Sequence, residues 1–420
     1  MLNMDISNLW SGMSLPDLLG WEAQLAEAQR RLQRTFSEEF SDWMWRKDTV
    51  PKELVNAIRN AARRIRMQSD TLVIIGADEA LLGIRGALEM LRGTRHNEIP
   101  TKPRIHFAGG DLSTRDLREL LNLLDDREFS VCFITYRGTN VEPALAFRAL
   151  KWKLIDKYGE QAARERIYVV TEEEERTLFN KMQEQGIAVF DTPRRVGGRF
   201  SVLSAVGLLP LLVAGIDPMD LLAGAAEMQE QLSLGSFDNP AWLYCAGRRV
   251  LWESGRSIEL LVSSEPRMQT LGKFWQHLFA DYPGPLTLSA LYGRDARLAD
   301  DRLDVFETYL RTDAPEDPLA IPSEWDDTDT MSFLEGRSFA DAEAALLDGV
   351  MGAHLGNGIP AFLLESGRID AKLAGALLHF LEFSAALWTL LIGEDPFAPR
   401  PLSEARKTML STLGACGFSS

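Results

Sequence analysis

The first half of the chain alternates short apolar runs with longer stretches of helical period. The runs are TLVIIG (71–76), RIHFAG (104–109), SVCFIT (130–135), RIYVVT (166–171) and IAVF (187–190). Their nearly continuous apolar character is typical of strands that are buried on both faces. Because helical segments separate them, they predict one parallel sheet with helices packed on both sides.

The second half repeats the alternation after a helix that begins near Pro240. Its predicted strands are SIELLVS (257–263), LTLSALY (286–292), DVFETYL (304–310) and IPAFLLE (359–365), and a long apolar helix covers 370–393. Two cores are also expected for 420 residues, since a single core rarely grows beyond about 250–300 residues. We therefore predict an α/β protein with two three-layer domains and parallel sheets.

The same pattern sets the expected domain boundaries. Residues 1–65 read as a polar helical N-terminal segment, 66–217 as the first α/β domain, 218–392 as the second, and 393–420 as a helical C-terminal tail. In doubly wound sheets ligands bind beyond the carboxyl ends of the strands. The loops after residues 76 and 135 are therefore the first places to search for a site.

Composition limits the partners and the compartment. The net charge of −16 argues against a nucleic-acid partner, since phosphate backbones require a basic face. Cys132, Cys245 and Cys416 form no metal or redox motif and indicate free thiols in a reducing cytoplasm. The most membrane-like run, 200–216, carries Pro210 and is shorter than the ~20 apolar residues that span a bilayer. The N-terminus lacks a signal-peptide pattern. We expect a cytoplasmic protein with no membrane contact, no metal and no cofactor.

The loop after the first strand departs from a glycine-rich phosphate turn. It reads Gly76-Ala77-Asp78-Glu79, with two carboxylates where glycines would let a backbone approach an anion. Acids in the first turn of a helix interact favourably with the helix dipole. The stretch therefore reads as a phosphate-binding turn that has been rebuilt as an ordinary helix start.

Several longer phrases together resemble the glucose-6-phosphate isomerase family. They are GTNVEPALAFRALK (138–151), VGGRFSVLSAVGLLPLLVAGID (196–217), NPAWLYCAGRRVLWESGRSIELLVSSEPRM (239–268), GAHLGNGIP (352–360) and DPFAPRPLSEARK (395–407). The resemblance implies two sugar-isomerase (SIS-type, flavodoxin-like) domains with the active site between them. It also implies aldose–ketose isomerisation of a sugar phosphate by a homodimer in which each subunit contributes to the other's site.

The resemblance assigns four catalytic candidates. Arg199 matches the arginine that stabilises the enediolate, His354 the histidine that assists ring opening, and Lys407 the C-terminal lysine if one inserted residue is allowed. Asp281 stands where the family has the glutamate base of a Glu-Ser-x-Gly-Lys motif, which here reads Asp-Tyr-Pro-Gly-Pro. We expect Arg199, His354 and Asp281 to converge between the domains. The alternative for Asp281 is a surface carboxylate at the C-terminus of a helix, followed by the turn DYPGP.

The phosphate-binding candidates are more altered. The family's loop Ser-Lys-Ser-Gly-Thr-Thr-Thr-Glu reads TYRGTNVE (135–142) here, and the resemblance assigns phosphate contacts to Thr135, Arg137, Thr139, Asn140, Gly76 and Glu79. Arg137 adds a positive charge, whereas Glu79 would repel a phosphate. Two functions stay open at this point. One is a sugar-phosphate isomerase, slow or shifted in substrate, and the other is a catalytically degenerate family member that binds a small molecule or a protein.

Overall fold

A computed structural model describes residues 2–38, 50–100, 103–136, 140–172, 176–192, 196–291, 304–323, 328–398 and 403–415. The described chain begins with a short strand, β1 (Asn3–Asp5), which is followed by the helices α1 (Leu15–Leu19), α2 (Glu22–Glu38) and α3 (Lys52–Gln68). The strand was missed from the sequence, because three residues are too few to display a strand period.

The first domain contains one parallel sheet, as predicted. Its strands are β2 (Thr71–Ile75), β3 (Arg104–Ala108), β4 (Phe129–Thr135), β5 (Ile167–Glu172) and β6 (Ala188–Thr192), in the spatial order β3-β2-β4-β5-β6. All four strand pairs are parallel. This is the flavodoxin-like order, and the chain reverses direction across the sheet between β2 and β4, where such folds bind ligands.

Helices cover both faces of this sheet, which explains the continuous apolar runs. They are α4 (Asp78–Arg92), α5 (Thr114–Leu123), α6 (Val141–Tyr158), α7 (Glu160–Glu165) and α8 (Arg176–Glu184). Along β2, Leu72 and Ile74 pack into one apolar cluster and Val73 and Ile75 into another. Side chains on a strand point alternately to opposite faces, so both faces had to be apolar.

The second domain contains the second predicted sheet. The helix α9 (Ala205–Val213) precedes it, and its own elements are α10 (Pro218–Leu232), α11 (Pro240–Glu253), β7 (Ile258–Ser263), α12 (Gln269–Phe279), β8 (Leu286–Leu291), β9 (Val305–Arg311), α13 (Phe339–Gly356), β10 (Ala361–Glu365) and α14 (Ala371–Leu391). The helix α15 (Glu404–Thr412) follows in the C-terminal tail. The spatial order is β1-β10-β9-β7-β8. Strands β7 to β10 are parallel, and β1 is antiparallel to β10. The predicted α/β fold with two parallel sheets is confirmed, whereas the division at residues 66, 218 and 393 stays a prediction.

Helix α14 is the central packing element of the molecule. It contacts α2, α4, α10, α11 and α12 and so joins the N-terminal helices to both domains. In the described part of the chain it alone is long and apolar enough to span a membrane, but 94% of its apolar window is buried inside the protein. The 200–216 run contains the nine-residue helix α9, which is likewise almost wholly buried.

Candidate active site at the junction of the two domains

The loops at the switch point of the first sheet carry the starts of two helices. Gly76 follows β2, its N–H donates to the carbonyl of Ala108, and α4 begins two residues later. Thr135 is the buried last residue of β4, and Asn140 precedes the first residue of α6. The two other phosphate candidates, Arg137 and Thr139, lie outside the described residues.

The side chain of Glu79 lies between α4 and the turn that carries Arg199. A β-carbon built on Gly198 would lie 2.7 Å from Cγ of Glu79, so the glutamate packs directly against that backbone. Its neighbour Asp78 also faces negative charge: burial, followed by Asp111 and Glu142, raises the pKa of Asp78 above its ordinary value. The region around the start of α4 is therefore acidic, as the sequence had indicated.

Arg199 and Asp281 form an ion pair across the domain junction. Arg199 lies in a 3₁₀ turn (Gly198–Phe200) and is 8% exposed. Its Nη2 donates to Oδ2 of Asp281 at 2.5 Å, and the Asp281 side chain is 38% exposed. Nη1 of Arg199 is buried and has no hydrogen-bond partner among the described residues. The guanidinium therefore has one donor committed to Asp281 and another available for a ligand.

The turn that carries Asp281 is held by three hydrogen bonds to other parts of the chain. Nε1 of Trp388 donates to the carbonyl of Pro283 at 3.2 Å, and Nη2 of Arg248 donates to the carbonyl of Pro285 at 2.9 Å. The hydroxyl of Tyr282 donates to the carbonyl of Pro396 at 3.1 Å. These bonds attach the turn to α14, to α11 and to the segment that follows α14.

Polar residues that the sequence reading missed lie behind Arg199. The hydroxyls of Tyr136 and Ser201 are 2.6 Å apart, and Ser201 donates to the carbonyl of Gly198 at 2.8 Å. Burial raises the pKa of Tyr136, and Glu79, Glu172 and Glu382 add to the rise. Glu382 on α14 could have been suspected, because it is a single carboxyl within a strongly apolar helix.

Burial also controls the ionisation of Glu382. The residue is 1% exposed, and burial raises its pKa well above the ordinary value, while a hydrogen bond from the backbone N–H of Val202 opposes the rise. Its Oε1 is buried with no partner among the described residues. Burial therefore favours the neutral form of this carboxyl.

His354 is not brought to the Arg199–Asp281 pair within one chain. Its Nδ1 lies 3.0 Å from both carboxyl oxygens of Glu307, and Tyr309 donates to the same carboxylate at 2.8 Å. Tyr309 belongs to a cluster on one face of β9, whereas Phe306 packs on the opposite face in the cluster that contains α12 and α14. Asp281 follows α12, so the second sheet separates it from His354.

The C-terminal helix contacts the first domain through Arg406 and not through Lys407. Nζ of Lys407 pairs with Glu404 on its own helix at 2.6 Å, and the side chain is 46% exposed. Arg406 donates two hydrogen bonds, at 3.1 and 2.9 Å, to the carboxylate of Glu142 at the start of α6. The catalytic role that the resemblance assigned to Lys407 stays a prediction.

A separate cavity of about 770 Å³ lies beside the edge strand β3, between α4 and α5. Asp78 and Glu142 line its inner end, but Arg199, Asp281 and His354 do not line it. Across the described residues, no group of three or more His, Cys, Asp or Glu side chains is arranged to hold a metal ion.

Comparisons with known proteins bear on the family and the fold of the chain. No protein-family model matches the chain. The glucose-6-phosphate isomerase of Shouchella clausii is 33% identical over 94% of this chain and 92% of the relative, and that of Listeria monocytogenes is 35% identical over 87% and 85%.

Two solved structures share the fold. A hypothetical protein from Thermus thermophilus superposes with a TM-score of 0.85 at 23% identity, over 99% of this chain and 100% of that chain. A glucose-6-phosphate isomerase from Chlamydia trachomatis gives 0.69 at 17% identity, over 86% and 73%. On the sequence identity and coverage of its relatives, the chain belongs to the glucose-6-phosphate isomerase family.

Proposed function

We propose that the protein interconverts glucose-6-phosphate and fructose-6-phosphate, or a closely related aldose–ketose pair of sugar phosphates. The observation that carries the proposal is the Arg199–Asp281 contact of 2.5 Å at the domain junction. Relatives that are named glucose-6-phosphate isomerase support the substrate class. The reaction moves one proton between adjacent carbons, which requires a carboxylate within reach of both and a cation near the developing oxyanion.

In this proposal Asp281 is the base and Arg199 stabilises the enediolate. Asp281 removes the proton from C2 of the open-chain aldose and returns it to C1, while the hydroxyl proton on O2 passes to O1, which gives the C1 hydroxyl and the C2 carbonyl of the ketose. A negative charge develops on the substrate oxygen during the transfer, and the buried Nη1 of Arg199, which has no partner among the described residues, donates to that oxygen. Because the site lies at a domain junction, the charge would develop in a poorly hydrated environment, where hydrogen bonds to it are strongest.

The phosphate would bind between the starts of α4 and α6. Both helix N-termini direct backbone N–H groups to that space, and Thr135 ends β4 while Asn140 precedes α6. The resemblance assigns further phosphate contacts to Arg137 and Thr139. Glu79 opposes phosphate binding electrostatically, so we expect weak binding of sugar phosphates.

Ring opening would be assisted by His354 from a second subunit. Within one chain, the second sheet lies between His354 and Asp281. The Arg199–Asp281 pair of that chain therefore does not have its own His354 beside it. The helix that carries His354, α13, supports a subunit interface: only Leu347 and His354 are buried along its length. Phe339 and Leu346 are exposed, and added β-carbons at Gly349 and Gly352 would meet no atom within 4 Å. We therefore propose a homodimer that is formed through α13.

Mixed dimers test this arrangement directly. Asp281→Asn and His354→Asn should each abolish activity in a coupled assay of hexose-phosphate interconversion. Co-refolding equal amounts should restore about a quarter of the parental rate, since half of randomly assembled two-fold dimers hold one intact site. A parent with no turnover would refute the isomerase function. Mixtures without recovery would show that His354 does not act across an interface.

The compartment follows from the proposed reaction. An isomerase of hexose phosphates would serve glycolysis and gluconeogenesis, and the cytoplasm holds those substrates. Cys132 and Cys245 are buried free thiols, which is consistent with a reducing compartment. Fractionation of the source cells, with a cytoplasmic enzyme as a marker, would test this placement.

A further inference from the structure

The two catalytic candidates belong to different domains, so neither sheet alone fixes their separation. Arg199 lies in the segment that leaves the first sheet, and Asp281 lies in the turn between α12 and β8. A displacement of about 1 Å in a reacting group can cost on the order of 10²-fold in rate. Some third element must therefore hold the two segments relative to each other.

Helix α14 contacts the Asp281 turn through Trp388. The indole is fully buried, and its Nε1 donates to the carbonyl of Pro283. The backbone of Gly284 lies against the ring, since an added β-carbon there would be 2.8 Å from Cζ2 of Trp388. A hydrogen bond and close packing therefore hold the Asp281 turn against the indole of Trp388.

The same helix contacts the Arg199 segment through Glu382. The Glu382 carboxyl faces Val202, three residues after Arg199, whose backbone N–H acts to lower the pKa of this buried carboxyl. Glu382 and Trp388 are six residues apart on one helix, which corresponds to about 9 Å along its axis. A rigid helix therefore spans the two segments.

The segment that follows α14 also contacts both the Arg199 segment and the Asp281 turn. The ring of Phe397 packs edge-on against Phe200, with centroids 5.5 Å apart, and the carbonyl of Pro396 accepts the hydroxyl of Tyr282 at 3.1 Å. Phe200 follows Arg199 and Tyr282 follows Asp281 in the sequence. Two consecutive residues thus touch the immediate neighbours of both candidates.

We propose that α14 and the Pro396–Phe397 segment form a brace that sets the Arg199–Asp281 geometry, with Glu382 and Trp388 as positioning residues. The inference rests on the proposed isomerase function, which it deepens. Glu382 acts as a neutral carboxyl that holds the Val202 amide, and Trp388 holds the Asp281 turn. Neither residue needs to touch the substrate.

Trp388→Phe is the first test, with Trp242→Phe as its matched control. Trp242 is also fully buried and donates from Nε1, to Gln29, but that contact belongs to neither segment. We expect Trp388→Phe to lower kcat by about 10- to 100-fold with KM within about twofold, because substrate binding is not the contact that is lost. Trp242→Phe should leave kcat near the parental value, although it should lower the Tm by as much as Trp388→Phe does. Equal kcat in the two variants would refute the role of Trp388.

The Glu382 side chain is tested by a conservative and a non-conservative change. Glu382→Leu removes the acceptor for Val202 and should lower kcat by about tenfold or more. Glu382→Gln retains an acceptor oxygen and the neutral state, so it should recover most of that loss and keep the parental pH profile. A Glu382→Gln variant as slow as Glu382→Leu would overturn the proposal for this residue.

A structural readout separates failure of the brace from failure of the proposed function. Crystal structures of the two tryptophan variants report the distance between Nη2 of Arg199 and Oδ2 of Asp281 whether or not the protein turns over sugar phosphates. The distance should lengthen beyond hydrogen-bonding range in Trp388→Phe and stay near 2.5 Å in Trp242→Phe. An unchanged distance in both would refute the brace, even in an active enzyme.

Discussion

Removal of the charge on Glu79 should strengthen sugar-phosphate binding. The side chain lies against the Arg199 turn, beside the proposed phosphate site. A carboxylate and a singly charged phosphate repel by about 4 kcal/mol at 4 Å and about 2 kcal/mol at 8 Å for an effective dielectric of 20. Counterions and the partial exposure of Glu79 reduce this value, so we expect Glu79→Gln to lower the Kd by about tenfold, which corresponds to about 1.4 kcal/mol.

Titration calorimetry with fructose-6-phosphate measures this change. Asp116→Asn is the control, because Asp116 is an exposed acid in the first turn of another helix of the same domain and alters the net charge equally. The gain in affinity from Glu79→Gln should become smaller at high salt. The Kd of the Asp116→Asn control should differ little from the parental Kd. An unchanged Kd, or the same gain in the control, would show that the phosphate does not bind beside Glu79.

The remaining predictions concern four further positions. Asp281→Glu restores the family's longer base and should raise kcat in the coupled assay, and a lower kcat would show that the site is built around the shorter side chain. Arg137→Ala should abolish the calorimetric signal for fructose-6-phosphate, and persistent binding would place the phosphate elsewhere. Burial raises the pKa of Glu382, so its stabilising contribution is complete below pH ~4.5 and is lost as pH rises through the folded-state pKa. The Tm of Glu382→Gln should therefore fall less between pH 5 and 9 than the parental Tm, and parallel curves would contradict the neutral carboxyl. Arg406→Ala should make the C-terminal helix more sensitive to protease, because it removes both bonds to the first domain, and equal cleavage rates would refute that docking role.

The sheets were predictable because their strands are buried on both faces. Continuous apolar runs such as TLVIIG fit a strand that is buried on both faces and few other structures. The ends of each predicted strand therefore agree with the observed ends to within one or two residues. The strand at Asn3–Asp5 could not be predicted, since its pairing with β10 depends on a partner far along the chain. The buried strands can thus be predicted from their own residues, whereas the pairing of the edge strand β1 cannot.

The site was only partly accessible from the sequence. The resemblance named Arg199 and Asp281, which meet in the structure, but it could not show that His354 faces Glu307 behind the second sheet. Matching residues to a motif gives their identity and order, but it does not show which of several surfaces each side chain faces. Contacts such as that of Glu382 with Val202 join residues 180 positions apart in the sequence. No local sequence pattern can predict such contacts. The catalytic roles themselves stay predictions.

The pairing of β1 with β10 has a consequence for the order of synthesis. Asp5 lies opposite Leu363, so β1 leaves the ribosome more than 350 residues before its partner strand is synthesised. At 5–20 residues per second, that interval is about 20–70 s. During it, the first domain can fold as a unit while residues 3–5 stay unpaired. A tag or truncation at the N-terminus would therefore leave the first sheet intact and expose the edge of the second, where an unpaired strand invites association between chains.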